Sequence, residues 1–498
     1  IAYSDESDFD IWLCHEPDLA PERVEKLQQK AAAVEAWAEE LDLEVHFFLI
    51  DAERFRRGEG ERLSEESSGS AQHRLLLDEF YRTGLLLAGR YPLWWLVPPE
   101  AEGDYDEYVA DLKRRRHLHA ADHIDFGGLA HVPAEEFFGA ALWQLYKGID
   151  APYKSVLKLS LIEAYANEYP CIELLSRRFK RAVYAGEQDI DRLDPYLMML
   201  KKIEEYYGGT EEHERLELTR RCFYFKLGKH LSEGEGTRTT SWQQQLLAEL
   251  VGGWRWSRAD LLVMDSRENW KVHRVTEERR ILFDALSASY RFLSEFARRY
   301  AGLALISQRD LNILGRKLYA AFERKAGKVE LLNRGISSDL SESHLSLHQI
   351  AGGERHGSWV LFRGLVRPND RSGVTPVRRS RSVVELVAWC HFNSLLGPNT
   401  AVALYPRVSI LSMKEFRAVV ESLRGLFPSD CLAARPMEVF AKPARLVCGA
   451  LFVTIGVDPF VTCGRDGAQI ASNASDPLRL GAIPANLLWS LSPVFVSR

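Results

Sequence analysis

Apolar and polar positions change rhythm twice along the chain. Over Asp8-Phe9-Asp10-Ile11-Trp12-Leu13-Cys14, β-branched and aromatic residues at alternate positions predict a strand. Pro21 and Glu22 then open a helix, and Val24, Leu27, Ala31, Val34, Trp37 and Leu41 recur at three- and four-residue spacing, which predicts one buried face. Leu43 to Ile50 reads as a second strand, 58–70 as a loop rich in Gly, Ser, Glu and Arg, Leu75 to Ala88 as a helix and Leu93 to Val97 as a third strand. From Pro133 to Ala326 the period becomes almost wholly helical, with segments Glu135–Tyr146, Tyr153–Tyr165, Thr219–His230, Thr276–Tyr300 and Asp310–Arg324. After Gly327 the pattern mixes again. Val329–Leu332 and Trp359–Phe362 read as strands, 363–381 as a basic loop, Val383–Leu396 and Met413–Phe427 as helices, and Leu446–Val457 as a continuous apolar strand. No repeat of fixed period occurs.

This rhythm divides the 498 residues into an α/β segment at 1–132, an all-α segment at 133–328 and a second α/β segment at 329–498. Hydrophobic residues make up 46% and charged residues 27%, enough to bury several cores and too apolar for a disordered chain. Lysine plus arginine number 64 against 70 aspartate plus glutamate, a net charge of −6 that argues against a nucleic-acid-coating protein. Seven scattered cysteines without a CxxC pair exclude a zinc ribbon and a disulfide scaffold, and a reducing cytoplasm is expected. The longest uncharged stretch, Leu480 to Ser497, carries two prolines and is expected to form two short strands rather than a membrane span. No secretory signal opens the chain, which begins with Ile1 rather than Met and is expected to belong to something longer.

Chemistry concentrates near the start. Asp8 and Asp10, two apart on a strand, project from one face about 6 to 7 Å apart along the backbone. Two like charges so placed favour a cation between them, and oxygen ligands suit Mg²⁺ or Mn²⁺. A third acid on the following strand would complete a site for two-metal phosphoryl or nucleotidyl transfer. Glu44 is preferred over Asp51 because it is placed inside that strand rather than at its exit. Asp125-Phe126-Gly127 lacks the companion motifs of a protein kinase, and His117, His119, Asp122 and His123 miss metallohydrolase spacing by one residue.

The acidic strand, Ser4 to Trp12, resembles that of polymerase-β-type nucleotidyltransferases, and the chain more narrowly resembles the class I adenylate cyclases of gamma-proteobacteria. The resemblance rests on Ser70-Ala71-Gln72-His73 running into Leu75 to Thr83, on Phe137 to Lys147 and on Ala151-Pro152-Tyr153-Lys154-Ser155-Val156-Leu157-Lys158. Arg220 to Tyr224, Asn269-Trp270-Lys271 and Arg316 to Glu323 add to it, and it covers residues 1 to about 345, thinning afterwards to patches such as Leu386 to Trp389. The family's Gly-Ser pair before the acidic strand has no counterpart in this chain.

The resemblance implies a nucleotidyltransferase core, a helical domain that completes the nucleotide cleft, and a C-terminal α/β domain with a regulatory role. It implies conversion of ATP to cyclic AMP and pyrophosphate, with Asp8, Asp10 and Glu44 as catalytic and metal-binding acids and Mg²⁺ or Mn²⁺ as cofactor. Lys154 and Lys158, one helical turn apart, would meet the β- and γ-phosphates, a reading that competes with a solvated helix face. Ser70, Gln72 and His73 open a helix whose N-terminus favours an anion or a base edge, with helix capping as the alternative. ATP is the expected substrate and the glucose-specific phosphocarrier of the sugar phosphotransferase system a candidate partner, with no nucleic acid and no membrane span. The competing readings are transfer of AMP to a protein or RNA acceptor and an inactive ATP-sensing module.

Overall fold

The computed structural model describes residues 1–2, 7–17, 19–58, 72–119, 121–232, 241–300, 335–350, 358–428, 442–443, 446–452, 455–456 and 492–497, with short pieces between 313 and 332. It divides into two compact units, one of residues 1–265 and 281–318, the other of 266–280 and 319–498.

In the first unit, β1 (Phe9–His15) pairs in parallel with β2 (Val45–Asp51), and α1 (Pro21–Glu39) connects them. The expected burial of α1 holds only in part: Ala31 and Ala38 are buried, while Val34, Trp37 and Leu41 are 43%, 59% and 53% exposed. Small residues let the helix lie close to the narrow two-stranded sheet, which covers only a strip of the apolar stripe. The short α2 (Ala52–Arg56) follows β2, and α3 (His73–Thr83) ends five residues sooner than expected, at Gly84, whose extended backbone stops the helix.

The strand expected at Leu93–Val97 is a 3-10 turn over Leu93–Leu96, preceded by β3 (Tyr91–Pro92). Burial accounts for this: Trp94 turns inward, stacks on Tyr81 at 4.3 Å between ring centroids and donates its indole N–H to Glu102 at 2.7 Å. After α4 (Tyr105–Arg114), β4 (His123–Ile124) pairs with β3 in parallel. Asp125 accepts from Arg56, Tyr105 and the Gly127 amide, so the Asp-Phe-Gly triplet is a structural turn.

A helical assembly follows: α5 (Ala134–Gly148), α6 (Pro152–Asn167), α7 (Leu175–Tyr184), α8 (Ile190–Leu193), α9 (Pro195–Gly208), α10 (His213–Leu227), α11 (Trp242–Trp254), α12 (Arg258–Asp265) and α13 (Val272–Tyr300). α6 packs against α5, α9 and α10 and is buried on every side over most of its length. Its buried Glu163 is held by the Arg215 guanidinium at 2.5 and 3.0 Å. The helix expected at Asp310–Arg324 lies largely outside the described residues.

The second unit contains β5 (His344–Ile350), β6 (Ser358–Arg363), β7 (Arg378–Ser380), α14 (Val383–Phe392), β8 (Ala401–Tyr405), α15 (Met413–Leu426), β9 (Leu446–Phe452) and β10 (Ser492–Ser497). Strand order is β7-β6-β5-β8, with β8 parallel to β5 and the other pairs antiparallel. No strand forms at Val329–Leu332, because side chains of α14 and the residue after it take the backbone groups: Leu332 N–H donates to Asn393 Oδ1 at 2.5 Å, and Glu330 C=O accepts from Trp389 and Asn393. β9 and β10 form an antiparallel pair, and residues 480–491 of the two strands expected at the end lie outside the description. The molecule is thus of mixed helical and sheet class. No described helix is long and apolar enough to cross a membrane.

Candidate active site

The parallel register sets the site's geometry. Asp10 lies opposite His46, so the period of two places Asp8 and Asp10 on the same sheet face as Glu44 and His46. Asp51 lies opposite His15 on the other face, and its carboxylate caps α2 by accepting from the Glu53 and Arg54 amides at 3.0 and 3.1 Å. Glu44 precedes β2 rather than standing inside it; its carbonyl accepts from Phe9 N–H at 2.8 Å, and its carboxylate bonds His46 Nε2 at 3.1 Å. That carboxylate helps hold the His46 imidazole above its ordinary pKa.

Further along the same face, Trp12 stacks on Phe80 of α3 with 4.1 Å between centroids. This anchors the strand so that Asp8 and Asp10 open into a cleft of about 2000 Å³ within the first unit. The cleft is also lined by Glu79 of α3, Gln144 and Lys147 of α5, Lys154 and Lys158 of α6, and Lys226 of α10. Burial by the cleft walls pushes the Asp10 carboxyl up, and the neighbouring Asp8 pushes it further, against the opposing pull of His46, Lys147 and Lys158.

In α6, from Pro152 to Ala166, Lys154 and Lys158 are the only exposed residues, and both border the cleft. Lys158 Nζ bridges to Glu79 at 3.1 Å, and that ammonium is the main reason the Glu79 carboxyl falls to about 2. Lys226 is held below its ordinary pKa by burial and then by Lys154, against the pull of Asp8. Among the described residues neither Lys154 nor Lys226 has an ion-pair or hydrogen-bond partner. Ammonium groups gathered from two helices at one cleft favour the entry of a polyanion.

The N-terminus of α3 is arranged differently from the expectation. Ser70 lies outside the described residues, Gln72 borders the cleft, and His73 is buried against Phe55 with 4.5 Å between ring centroids. Burial drops the His73 pKa to about 4. The amides of Arg74 and Leu75 donate to Glu136 at 2.6 and 3.1 Å, so the protein's own carboxylate occupies the anion position of this helix start. Burial raises Glu136 to about 7 despite those two bonds.

Sequence reasoning missed Glu79, Gln144, Lys147 and Lys226. Lysine at a helix surface carries no local signal, and only the packing of α3, α5, α6 and α10 brings these residues to one cavity. Among the described residues no three His, Cys, Asp or Glu side chains are grouped to hold a metal ion. Asp8 and Asp10 nevertheless fit a hard divalent cation, because such an ion takes one or two carboxylates plus substrate oxygens and would relieve the repulsion felt by Asp10.

Three family descriptions match the chain: "Adenylate cyclase NT domain" over residues 1–95, "Adenylate cyclase, class-I, second domain" over 132–333 and "Adenylate cyclase, class-I, third domain" over 340–431. The adenylate cyclase of Escherichia coli K12 is 42% identical over 462 residues, covering 92% of this chain and 54% of that protein. The adenylate cyclases of Salmonella typhimurium and Yersinia intermedia are each 41% identical, over 92% and 91% of this chain and 54% and 53% of those proteins. The chain therefore spans about half the length of the curated relatives it matches. No solved structure matches it. With all three domain descriptions in order along its length, the chain belongs to the class-I adenylate cyclase family.

Proposed function

We propose that the first unit is a nucleotidyltransferase-type catalytic core that converts ATP to 3′,5′-cyclic AMP and pyrophosphate. The observation that carries this reading is the facing of two strand carboxylates, Asp8 and Asp10, by four cleft lysines. Asp8 and Asp10 would hold Mg²⁺ or Mn²⁺, which when bound supplies charge neutralisation at the phosphates and a more acidic ribose hydroxyl. Lys154 and Lys158 meet the β- and γ-phosphates, and Lys147 and Lys226 add positive charge to the same region. Glu79 positions Lys158, whose ammonium it grips from across the cleft.

In the reaction the ribose 3′-oxygen forms a bond to the α-phosphorus as the bond from that phosphorus to the pyrophosphate oxygen breaks. Glu44, which flanks the strand pair with its carboxylate exposed and bonded to His46 and is not one of the residues that line the cleft, is the acid this reading assigns to take the 3′-hydroxyl proton, and the lysines stabilise the departing pyrophosphate. Gln72 is the one residue of the α3 start that this reading keeps as a nucleotide contact, since it borders the cleft. The segment from residue 329 is read as a regulatory part acting in the cytoplasm with the glucose-specific phosphocarrier as its partner, a reading that rests on the family resemblance alone.

Incubating the protein with α-labelled ATP and Mg²⁺ or Mn²⁺ and separating the products tests the reading. Labelled cyclic AMP is expected. Label on protein or RNA would establish the transferase instead, and ATP that binds but stays intact would establish a sensor.

A further inference from the structure

The cleft has an apolar wall as well as a charged one. α5 turns Ala140, Gln144 and Lys147 into it, residues spaced four and three apart and hence on one helix face. Lys147 marks the charged end, since it biases both Asp10 and Glu79. Gln144 lies about 4.5 Å back along the helix axis. It is 7% exposed, and its amide makes no hydrogen bond to a described residue. The same two helices also give the cleft Ala140 and Trp143 of α5 and Leu157 and Leu161 of α6.

The amide atoms themselves are not sealed from solvent, and an amide that opens onto a cavity without a protein partner can be satisfied by whatever fills it. Gln144 presents an N–H donor and a carbonyl acceptor side by side, the pattern that pairs in two bonds with the edge of adenine. The neighbouring alanine and leucines suit the faces of a flat ring. Along α5 the order of Lys147 and then Gln144 follows the polarity of a nucleotide, with phosphates at one end and the base at the other.

We propose that Gln144 is the residue of this cleft that hydrogen-bonds the heterocyclic edge of the bound nucleotide's base. The assignment rests on the nucleotide reading of the cleft and adds to it the place of the base. Gln144 is a specificity element, separate from the lysines that meet the phosphates.

The test compares equilibrium binding of ATP and of inorganic tripolyphosphate to the full chain and to its Gln144→Leu variant. The expected result is at least about a tenfold loss of ATP affinity, because a site built around a hydrogen bond loses strongly without it. Tripolyphosphate affinity should stay within about twofold, since the phosphate contacts are untouched. Unchanged ATP binding, or an equal loss for both ligands, overturns the assignment. If Gln144→Leu loses its thermal unfolding transition, Gln144→Met, closer in shape, takes its place under the same criteria. Wild-type protein that binds ATP no more tightly than tripolyphosphate would contradict the nucleotide reading itself, whereas an intact ATP preference in the variant removes Gln144 alone.

Discussion

Two lysine–glutamate pairs in the first unit have nearly the same geometry and opposite consequences. Lys180 meets Glu102 at 3.0 Å with both side chains 1% exposed, and Lys158 meets Glu79 at 3.1 Å with 45% and 37% exposed. Around Lys180 every demand is met within the protein: the ammonium also donates to the Trp94 carbonyl at 2.7 Å and lies 3.9 Å from the centre of the Trp94 ring, while Glu102 accepts from the Trp94 indole and the Leu129 amide. Around Lys158 the balance is left open, with Lys154 and Lys226 nearby and, among the described residues, Glu79 bridged to Lys158 alone. A closed pair serves the fold. An open pair with surplus charge marks a place where a ligand completes the balance.

Breaking the closed pair should have the largest effect on the fold. Glu102→Gln leaves the Lys180 charge buried without its counterion, and a loss of about 3 kcal/mol in chemical-denaturant stability is expected. A change below about 1 kcal/mol would show that Lys180 is stable without it. The same substitution at the open pair, Glu79→Gln, should leave stability within about 1 kcal/mol. It should instead raise the KM for ATP by roughly three- to tenfold, since Lys158 loses its positioning. Unchanged KM with lost stability would make the two pairs alike.

The smallest effect sharpens the comparison from the acidic side of the cleft. Asp10 has a raised pKa, so its ionised form disfavours the folded state at pH values above that raised value, and the cost disappears once the group is protonated. Asp10→Asn should therefore melt slightly above wild type at pH 7, and the difference should shrink as pH falls through the range of the raised carboxyl. Thermal melts at pH 7 and at mildly acid pH check this. A variant that melts lower at pH 7 would mean that Asp10 supports the fold.

Strong periodicity made much of this visible in the sequence. β1 and the helices α5, α6, α14 and α15 are found within a few residues of their expected bounds, because apolar spacing and proline starts dictate them. The failures have tertiary causes. Trp37 and Leu41 fit a buried stripe by spacing, yet no described neighbour covers them. His73 has the polar look of a helix-start ligand, but Phe55 and Glu136 draw that helix start into the protein. The carboxylate pair was legible from two-residue spacing, and Lys154 and Lys158 from one helical turn. That they are the only exposed positions from Pro152 to Ala166 could be seen only once α6 was packed. Glu79 and Lys226 enter the cleft from helices far apart in sequence, which no local pattern encodes.

The central claim is that the Asp8 and Asp10 face of the cleft makes cyclic AMP. Its most direct test is the rate of cyclic AMP formation by the full-length protein and by its Asp10→Asn variant, matched by circular dichroism and thermal melting. The account predicts that a folded Asp10→Asn protein loses at least about 100-fold in rate, the scale of removing one preorganised charge contact from a reacting phosphate. Wild-type protein that forms cyclic AMP while the variant keeps most of that rate would contradict it.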